Sequence, residues 1–293
     1  MLKVRALEND DREALQALLM REPQYNAFHL SALSEFGLGS GAWAVGVFRG
    51  TDLVGMLMAL RGTGGAYHVP GDAEALEMLA DAVHDRVLNG RLALLSGHTS
   101  QLDPLLPMVE SSVNGRPDRC HFRVLLPGDL ALPERHAEQE WFVPDLFKPP
   151  RRAHEGDMER LIDFYLHGFY SLARLPSREA WRSRLSEQLA FRTLYLIEDR
   201  EGAVASAALS SAEGGGAAIL GGVATLDSYR GLGLSTQCVG ALCAGLFAAG
   251  AESIGLFYLN DNTPAGRVYD KLGFRPAGEW LLVPMGLGIL FGG

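Results

Sequence analysis

Apolar and polar positions along this chain follow two periods, and the order in which they appear occurs twice. Val4-Arg5-Ala6-Leu7 has a short strand pattern. Ala14, Leu15, Leu18 and Leu19 then recur at helical spacing behind Asp10, which is placed to cap them. A second helical stretch covers Tyr25 to Phe36. The apolar runs Trp43 to Phe48 and Leu53 to Leu60 flank Arg49-Gly50-Thr51-Asp52, a hairpin signal. Beyond Tyr67-His68-Val69-Pro70-Gly71 the pattern predicts a helix from Asp72 to about Leu88. A strand over Arg91 to Ser96, a helix over Leu102 to Val109 and a strand over His121 to Leu126 follow.

The same order returns later. Met158 to Tyr170 and Arg178 to Leu189 read as helices, and Thr193 to Ile197 and Ala203 to Leu209 flank Asp199-Arg200-Glu201-Gly202 as a second hairpin. That hairpin is displaced by 150 residues from the first, and Arg152-Ala153-His154-Glu155-Gly156-Asp157 matches Arg5-Ala6-Leu7-Glu8-Asn9-Asp10 at an offset of 147. A duplicated unit explains both. Between the copies stand Pro127, Pro133, Pro144, Pro149 and Pro150, the charged Glu134-Arg135-His136 and a candidate strand around Trp141-Phe142-Val143. The expected division is a first domain over 1–130, a linker over 131–150 and a second domain over 151–293.

Composition narrows the class. Of 293 residues, 47% are hydrophobic and 21% charged, as in a globular protein. A net charge of −9 argues against nucleic acid as a partner. No run of about 18 apolar residues predicts a membrane span, and the first residues lack a signal-peptide pattern. Three cysteines, Cys120, Cys238 and Cys243, fit reduced thiols in the cytoplasm, with Cys238 and Cys243 as small apolar residues of one helix. The eight histidines show no metal-binding spacing, so no metal is expected.

The chemistry concentrates in Gly222-Val223-Ala224-Thr225-Leu226-Asp227-Ser228-Tyr229-Arg230-Gly231-Leu232-Gly233-Leu234-Ser235. This stretch reads as a strand, a glycine-rich turn and the start of a helix that runs to about Gly250. Glycines 231 and 233 allow φ > 0 and close approach. The helix's first N–H groups and its dipole favour an anion, and Arg230 adds a positive charge. A dinucleotide fingerprint fails because Thr236 stands at its third glycine, and a P-loop fails for lack of a lysine. In the first copy the equivalent turn is Pro70-Gly71-Asp72-Ala73-Glu74, whose carboxylates would satisfy their own helix and repel a phosphate.

A second stretch begins about 30 residues on. Asn262, Ala265, Tyr269, Gly273 and Phe274 mark a helix with Pro264 in its first turn and Gly273 past its end, after a strand over Ala251 to Leu259. A last strand is expected at Leu281-Leu282-Val283.

The two stretches together resemble the coenzyme site of the GNAT superfamily of N-acetyltransferases. Arg230-Gly231-Leu232-Gly233-Leu234-Ser235 is similar to its pyrophosphate loop, [QR]-x-x-G-x-[GA], with Ser235 in the last place, where it also suits a helix N-cap. The resemblance covers about residues 151–285. It implies an α/β fold of two tandem GNAT-like domains, each a mixed, mostly antiparallel sheet flanked by helices, the first a degenerate copy. It implies acetyl-CoA as co-substrate and direct transfer to a primary amine of a small molecule or peptide in a ternary complex. Arg230 to Ser235 would hold the pyrophosphate. The backbone of Val223, Ala224 and Thr225 would pair with the pantetheine arm, and Val223 N–H would meet the oxyanion. Asn262 would bond the arm, and Tyr269 would act as general acid beside the sulfur. The base is not identified; Glu198, Asp199, Glu213 and Asp227 are acidic residues near strand ends. The acceptor is expected against the region from His167 to Arg178 and the first half. The alternative is a non-catalytic acyl-CoA-binding or regulatory module.

Overall fold

The computed structural model describes residues 1–39, 42–132, 146–168 and 176–286. The candidate strand at Trp141-Phe142-Val143 and the chain beyond Gly286 lie outside the described residues. The chain divides into two compact units. One comprises Met1–Phe122, Phe257–Asp261 and Pro276–Gly293, the other Arg123–Leu256 and Asn262–Arg275. The units therefore interleave in sequence, where the expected division is contiguous.

In chain order the first copy supplies β1 (Leu2–Ala6), α1 (Arg12–Leu19), α2 (Pro23–Glu35), β2 (Trp43–Arg49), β3 (Asp52–Leu60) and β4 (Thr63–His68). It continues with α3 (Ala73–Leu88), β5 (Leu94–His98), α4 (Thr99–Leu102) and β6 (Asp118–Leu125). The second copy supplies β7 (Arg151–Arg152), α5 (Met158–Gly168), α6 (Arg178–Phe191), β8 (Leu194–Glu198), β9 (Val204–Gly214) and β10 (Ala217–Thr225). It ends with α7 (Leu234–Ala248), β11 (Ser253–Leu259), α8 (Thr263–Lys271) and β12 (Arg275–Pro284).

In the first unit β1 to β4 pair antiparallel in sequence order, β5 joins β4 in parallel, and β12 adds to β5 antiparallel with Trp280 opposite His98. Alternate residues along these strands serve two cores. Ala44, Phe48, Met56, Met58 and Tyr67 pack with Leu15, Leu18, Leu30 and Leu33 of α1 and α2. Val45, Val47, Leu57, Ala59 and Ala66 pack with Leu76, Leu79, Val83 and Val87 of α3. The second unit repeats this order: β7 to β10 are antiparallel and β11 joins β10 in parallel. Leu161, Ile162 and Tyr165 of α5 and Trp181 and Leu185 of α6 cover Leu194, Leu196, Ala207 and Leu209. Val239, Leu242, Cys243 and Leu246 of α7 are buried, and α7 packs on β8, β9 and β10.

The duplication holds with a corrected frame. Arg5 forks onto Asp11, with Nη1 to Oδ2 at 2.6 Å and Nη2 to Oδ1 at 2.6 Å, while Glu8 N–H donates to Asp11 at 2.9 Å. Arg151 forks in the same way onto Asp157 at 2.8 and 2.7 Å, while His154 N–H donates to Asp157 at 3.0 Å. The structural equivalents are thus Arg5 with Arg151 and Asp11 with Asp157, an offset of 146 rather than 147. The closing carboxylate must stand six residues after the arginine, and matching by identity slips by one.

Two local expectations also change. Asp10 lies inside a 3-10 turn, Asn9–Asp11, that precedes α1 and is closed by Glu8 and Asp11. Leu102 to Val109 is broken after the single turn of α4: Pro104 and Pro107 donate no N–H, and only a 3-10 turn, Leu106–Met108, remains. Among the described residues no helix is long and apolar enough to cross a membrane.

Candidate functional site

All the candidate coenzyme residues lie in the second unit. β10 carries the first of them, and its shape is set by Gly221 and Gly222. Pairing with β9 steps from Gly221 opposite Leu209 to Ala224 opposite Ala207, so β10 holds one extra residue there. Gly222 absorbs it at φ +55, and a Cβ there would stand 2.7 Å from Leu209 Cδ2. Parallel pairing with β11 covers only Ala217 to Leu220. From Gly221 to Thr225 the edge of β10 on that side has no strand partner among the described residues. Extended backbone groups from another molecule fit such an edge.

One side chain fixes how that edge is presented. The Tyr165 hydroxyl of α5 donates to Gly222 O at 3.1 Å. The peptide is trans, so the Val223 N–H points opposite to the Gly222 carbonyl, away from Tyr165. Tyr165 itself is stacked on Trp181, with ring centroids 5.0 Å apart. On the sequence, Tyr165 is indistinguishable from a core aromatic of an amphipathic helix, and its role depends on a bulge that no local pattern announces.

The turn follows. Leu226 N–H donates to Ala205 O at 3.0 Å, and a 3-10 turn, Asp227–Tyr229, leads into Arg230. The Tyr229 hydroxyl donates to Asp199 Oδ2 at 3.0 Å and anchors the turn. Arg230 is exposed and ion-paired with Asp227 at 2.7 Å. Gly231 has φ +81 with open space where a Cβ would stand. Gly233 is the N-cap of α7 at φ +73, and among the described residues no side chain caps the helix. The first backbone bond along the helix runs from Gln237 N to Gly233 O at 3.2 Å. The N–H groups of Leu234, Ser235 and Thr236 precede it, in the place where an anion is bound.

Ser235 is therefore not the cap. It sits in the first turn of α7, and its hydroxyl meets Thr225 Oγ1 at 2.7 Å. Thr225 Oγ1 meets Ser206 Oγ at 2.8 Å, and Ser206 Oγ donates to Ala224 O at 3.0 Å. This chain of hydroxyls ties the end of β10 to the start of α7. The cap position needs a left-handed φ, which favours glycine over serine.

Asn262 is exposed and caps α8, its Oδ1 accepting from Ala265 N at 3.2 Å. Tyr269 is buried two turns along the same helix, its ring edge-on to Phe274 at 5.7 Å. α8 packs on α7, with Leu272 against Gly240.

The acidic candidates for a base all have structural partners. Glu198 is buried among Lys148, Arg151 and Arg160, with Lys148 Nζ at 2.8 Å and Arg160 Nη1 at 2.7 Å. Burial would raise its carboxyl, but the bonds from Lys148 and Arg151 outweigh it and hold the group below the usual range. Asp199 accepts from Tyr229 and from Ala203 N. Glu213 accepts from Thr193 N at 2.7 Å and from the Ser210 hydroxyl, and Asp227 pairs with Arg230. In the expected acceptor region Arg178 is tied to Asp163 and Glu159; residues 169–175 lie outside the described residues.

The first unit closes both features that the second leaves open. Asp72 caps α3 by accepting from Ala75 N at 3.1 Å, and Arg49 clamps Asp72 at 2.9 Å and Glu74 at 3.4 Å. The strand edge is also taken: His68 N–H donates to Gln101 Oε1 at 3.0 Å. Among the described residues no group of His, Cys, Asp and Glu is placed to hold a metal ion.

Residues 158–274 match the model of the acetyltransferase (GNAT) family. No curated protein matches the chain in sequence. A Drosophila protein solved by a structural genomics consortium has a TM-score of 0.69 and 15% identity, over 97% of this chain and 99% of its own. A tandem GNAT protein from the clavulanic acid biosynthesis pathway has a TM-score of 0.62 and 16% identity, over 98% and 99%. A GCN5-related N-acetyltransferase from Sphaerobacter thermophilus has a TM-score of 0.61 and 15% identity, over 98% of both chains. At these identities the likeness is one of fold. Residues 158–274 thus form an acetyltransferase domain of the GNAT superfamily, in a chain whose whole length has the tandem GNAT fold.

Proposed function

We propose that the second unit is an acetyl-CoA-dependent N-acetyltransferase acting on a primary amine. The observation that carries this reading is the pairing of an unpartnered strand edge, Gly221 to Thr225, with an uncapped helix N-terminus at Gly233. One suits the amides of the pantetheine arm and the other the pyrophosphate, with the Arg230 guanidinium beside it. Asn262 keeps a side-chain amide at the head of α8 for the arm.

Transfer is direct. The neutral amine attacks the thioester carbonyl, the new C–N bond forms, and the Val223 N–H meets the oxygen that gains charge. As the C–S bond breaks, Tyr269 donates its proton to the leaving sulfur, and the proton that the acylated nitrogen sheds returns through water to the Tyr269 oxygen. An acyl-enzyme through cysteine is disfavoured. Cys238 and Cys243 are buried, and burial pushes the Cys243 thiol up to about 12 and the Cys238 thiol higher still. Buried, unbridged cysteines also support a cytoplasmic site of action.

The test follows free thiol as protein, acetyl-CoA and a panel of amines are mixed. Turnover above a Tyr269→Phe control is expected, with kcat lowered by about tenfold or more in that variant. Coenzyme that binds while no amine turns over would favour a binding module. Coenzyme that fails to bind at millimolar concentration, with Arg230→Glu indistinguishable from wild type, would end the reading.

A further inference from the structure

The backbone from Leu226 to Leu234 forms the candidate pyrophosphate turn, and its composition makes it loose. Gly231 and Gly233 both take positive φ, and glycine loses more conformational freedom than any other residue when its backbone is fixed. The turn is tied at its two ends, where Leu226 N–H donates to Ala205 O and Ser235 meets Thr225. Between those ties the Arg230–Asp227 pair is internal to the turn and holds it to nothing else. Among the described residues, one side-chain hydrogen bond leaves residues 227–233 for another part of the chain, and it belongs to Tyr229.

The group that receives it is itself held from several directions. Asp199 opens the hairpin between β8 and β9. Its N–H donates to Ala203 O at 2.9 Å and its Oδ1 accepts from Ala203 N at 2.9 Å, while Oδ2 accepts from the Tyr229 hydroxyl at 3.0 Å. Phe147 pairs with Asp199 as an antiparallel bridge. Its buried ring stands edge-on to Tyr229, with centroids 5.1 Å apart and planes at 87°, a favoured geometry for two aromatic rings. The bond to Asp199 also raises the Tyr229 hydroxyl above its usual value, so the tyrosine remains a donor at neutral pH.

The first copy uses the same hairpin position in the opposite sense. Arg5 pairs with Gly46 across β1 and β2, and Arg151 with Leu196 across β7 and β8. Since Arg5 and Arg151 are equivalent, so are Gly46 and Leu196, and three residues further on, Arg49 and Asp199. Arg49 holds a carboxylate over the start of α3. Asp199, of opposite sign, holds a neutral hydroxyl from the turn, and among the described residues no side chain caps the start of α7.

Resting on the transferase reading for the identity of the ligand, we infer that Tyr229, held by Asp199, is a positioning residue for the coenzyme. It fixes the turn that presents the N–H groups of Leu234, Ser235 and Thr236 to the pyrophosphate. The thioester end is left to Tyr165.

Calorimetric titration of the intact chain with coenzyme A tests this. Tyr229→Phe keeps the edge-on ring and removes the bond, and should weaken the coenzyme by about tenfold, as suits a hydrogen bond to a charged group. Asp199→Ala should weaken it at least as much. The double variant should lose no more than Asp199→Ala alone, because the two groups act as one pair. Asp199→Asn should bind within about twofold of wild type, since its Oδ1 can still accept from Ala203 N and its amide can donate to the Tyr229 oxygen. A donor without the pyrophosphate separates positioning from general support of the fold. With an amine that turns over in the free-thiol assay, Tyr229→Phe should raise KM for acetyl-CoA by about tenfold and keep kcat/KM for S-acetylpantetheine within about twofold; where no amine turns over, the affinities decide alone. Equal losses on the two donors, or unchanged coenzyme affinity in Tyr229→Phe, would overturn the inference and leave the transferase reading standing. A wild type that binds no coenzyme at millimolar concentration would end both.

Discussion

At the scale of single residues, hydrogen bonds that hold backbone in place matter more here than the side chains that stand nearest the chemistry. Tyr165 is assigned no contact with coenzyme or acceptor, yet its bond to Gly222 O sets where the Val223 N–H points. Replacing it by phenylalanine keeps the stacking on Trp181 and removes one bond worth about 1 kcal/mol. Tyr165→Phe should therefore lower kcat by about fivefold while coenzyme affinity stays the same, as steady-state kinetics beside calorimetry would show. An equal loss in binding would mean that the tyrosine merely supports the fold. Asp157 makes a different residue-scale argument. Burial would raise its carboxyl, but the fork from Arg151 and the His154 N–H bring it down to about 2. Because the folded value lies below the unfolded one, the stabilisation is complete above about pH 5 and disappears as pH falls toward the folded value. The shift corresponds to about 2 kcal/mol. Chemical denaturation should show the stability gap between wild type and Asp157→Asn narrowing by about that amount from pH 6 to pH 2. A constant gap would show that Asp157 is not held ionised.

At the scale of elements, α7 and the turn before it carry the most demanding geometry. Gly233 caps the helix in the left-handed region with no side chain over the helix end. Gly233→Ala should cost about 1–2 kcal/mol in stability and weaken coenzyme binding more than it lowers Tm, because the turn that presents the N–H groups shifts. Thermal melts and titration of one preparation separate the two, and a loss of Tm with no loss of affinity would remove the turn from the site. The helix, the strand before it and both hairpins were legible because their apolar periods are long and their turns carry glycine. The glycine-rich turn was legible for the same reason that makes it useful: φ > 0 restricts the residue types. Ser235 was misread as a cap because sequence shows which residues can cap, not where the helix begins. The bulge at Gly222 was not legible, since it depends on the register of β10 against β9. Leu102 to Val109 looked helical from its apolar spacing, and two prolines outweighed that spacing.

At the scale of the whole chain, the question is what two copies of one unit do when only one keeps its openings. The repeat was visible in the order of elements, while its one-residue frame became clear only from the Arg5–Asp11 and Arg151–Asp157 forks. That β12 pairs with β5 of the first unit is a long-range pairing, set by register and not by local pattern. The two copies treat equivalent backbone differently. In the second, among the described residues, the β11-facing edge at the end of the strand has no strand partner and no side chain caps the start of the helix. In the first, the Asp72 carboxylate occupies the helix start, Arg49 holds it there, and Gln101 accepts the His68 N–H. Asp72 is kept ionised chiefly by its bond to Arg49, so an incoming phosphate meets a fixed negative charge in place of unpaired N–H groups. Displacing it would break the cap and the ion pair together. The chain should accordingly bind one coenzyme, not two. Calorimetry should give a stoichiometry of about one per chain, and Arg230→Glu should weaken the whole signal instead of half of it. Two binding events in the wild type, or a half-amplitude event that survives in Arg230→Glu, would show that the first unit is still a coenzyme site and that its carboxylate cap can be displaced.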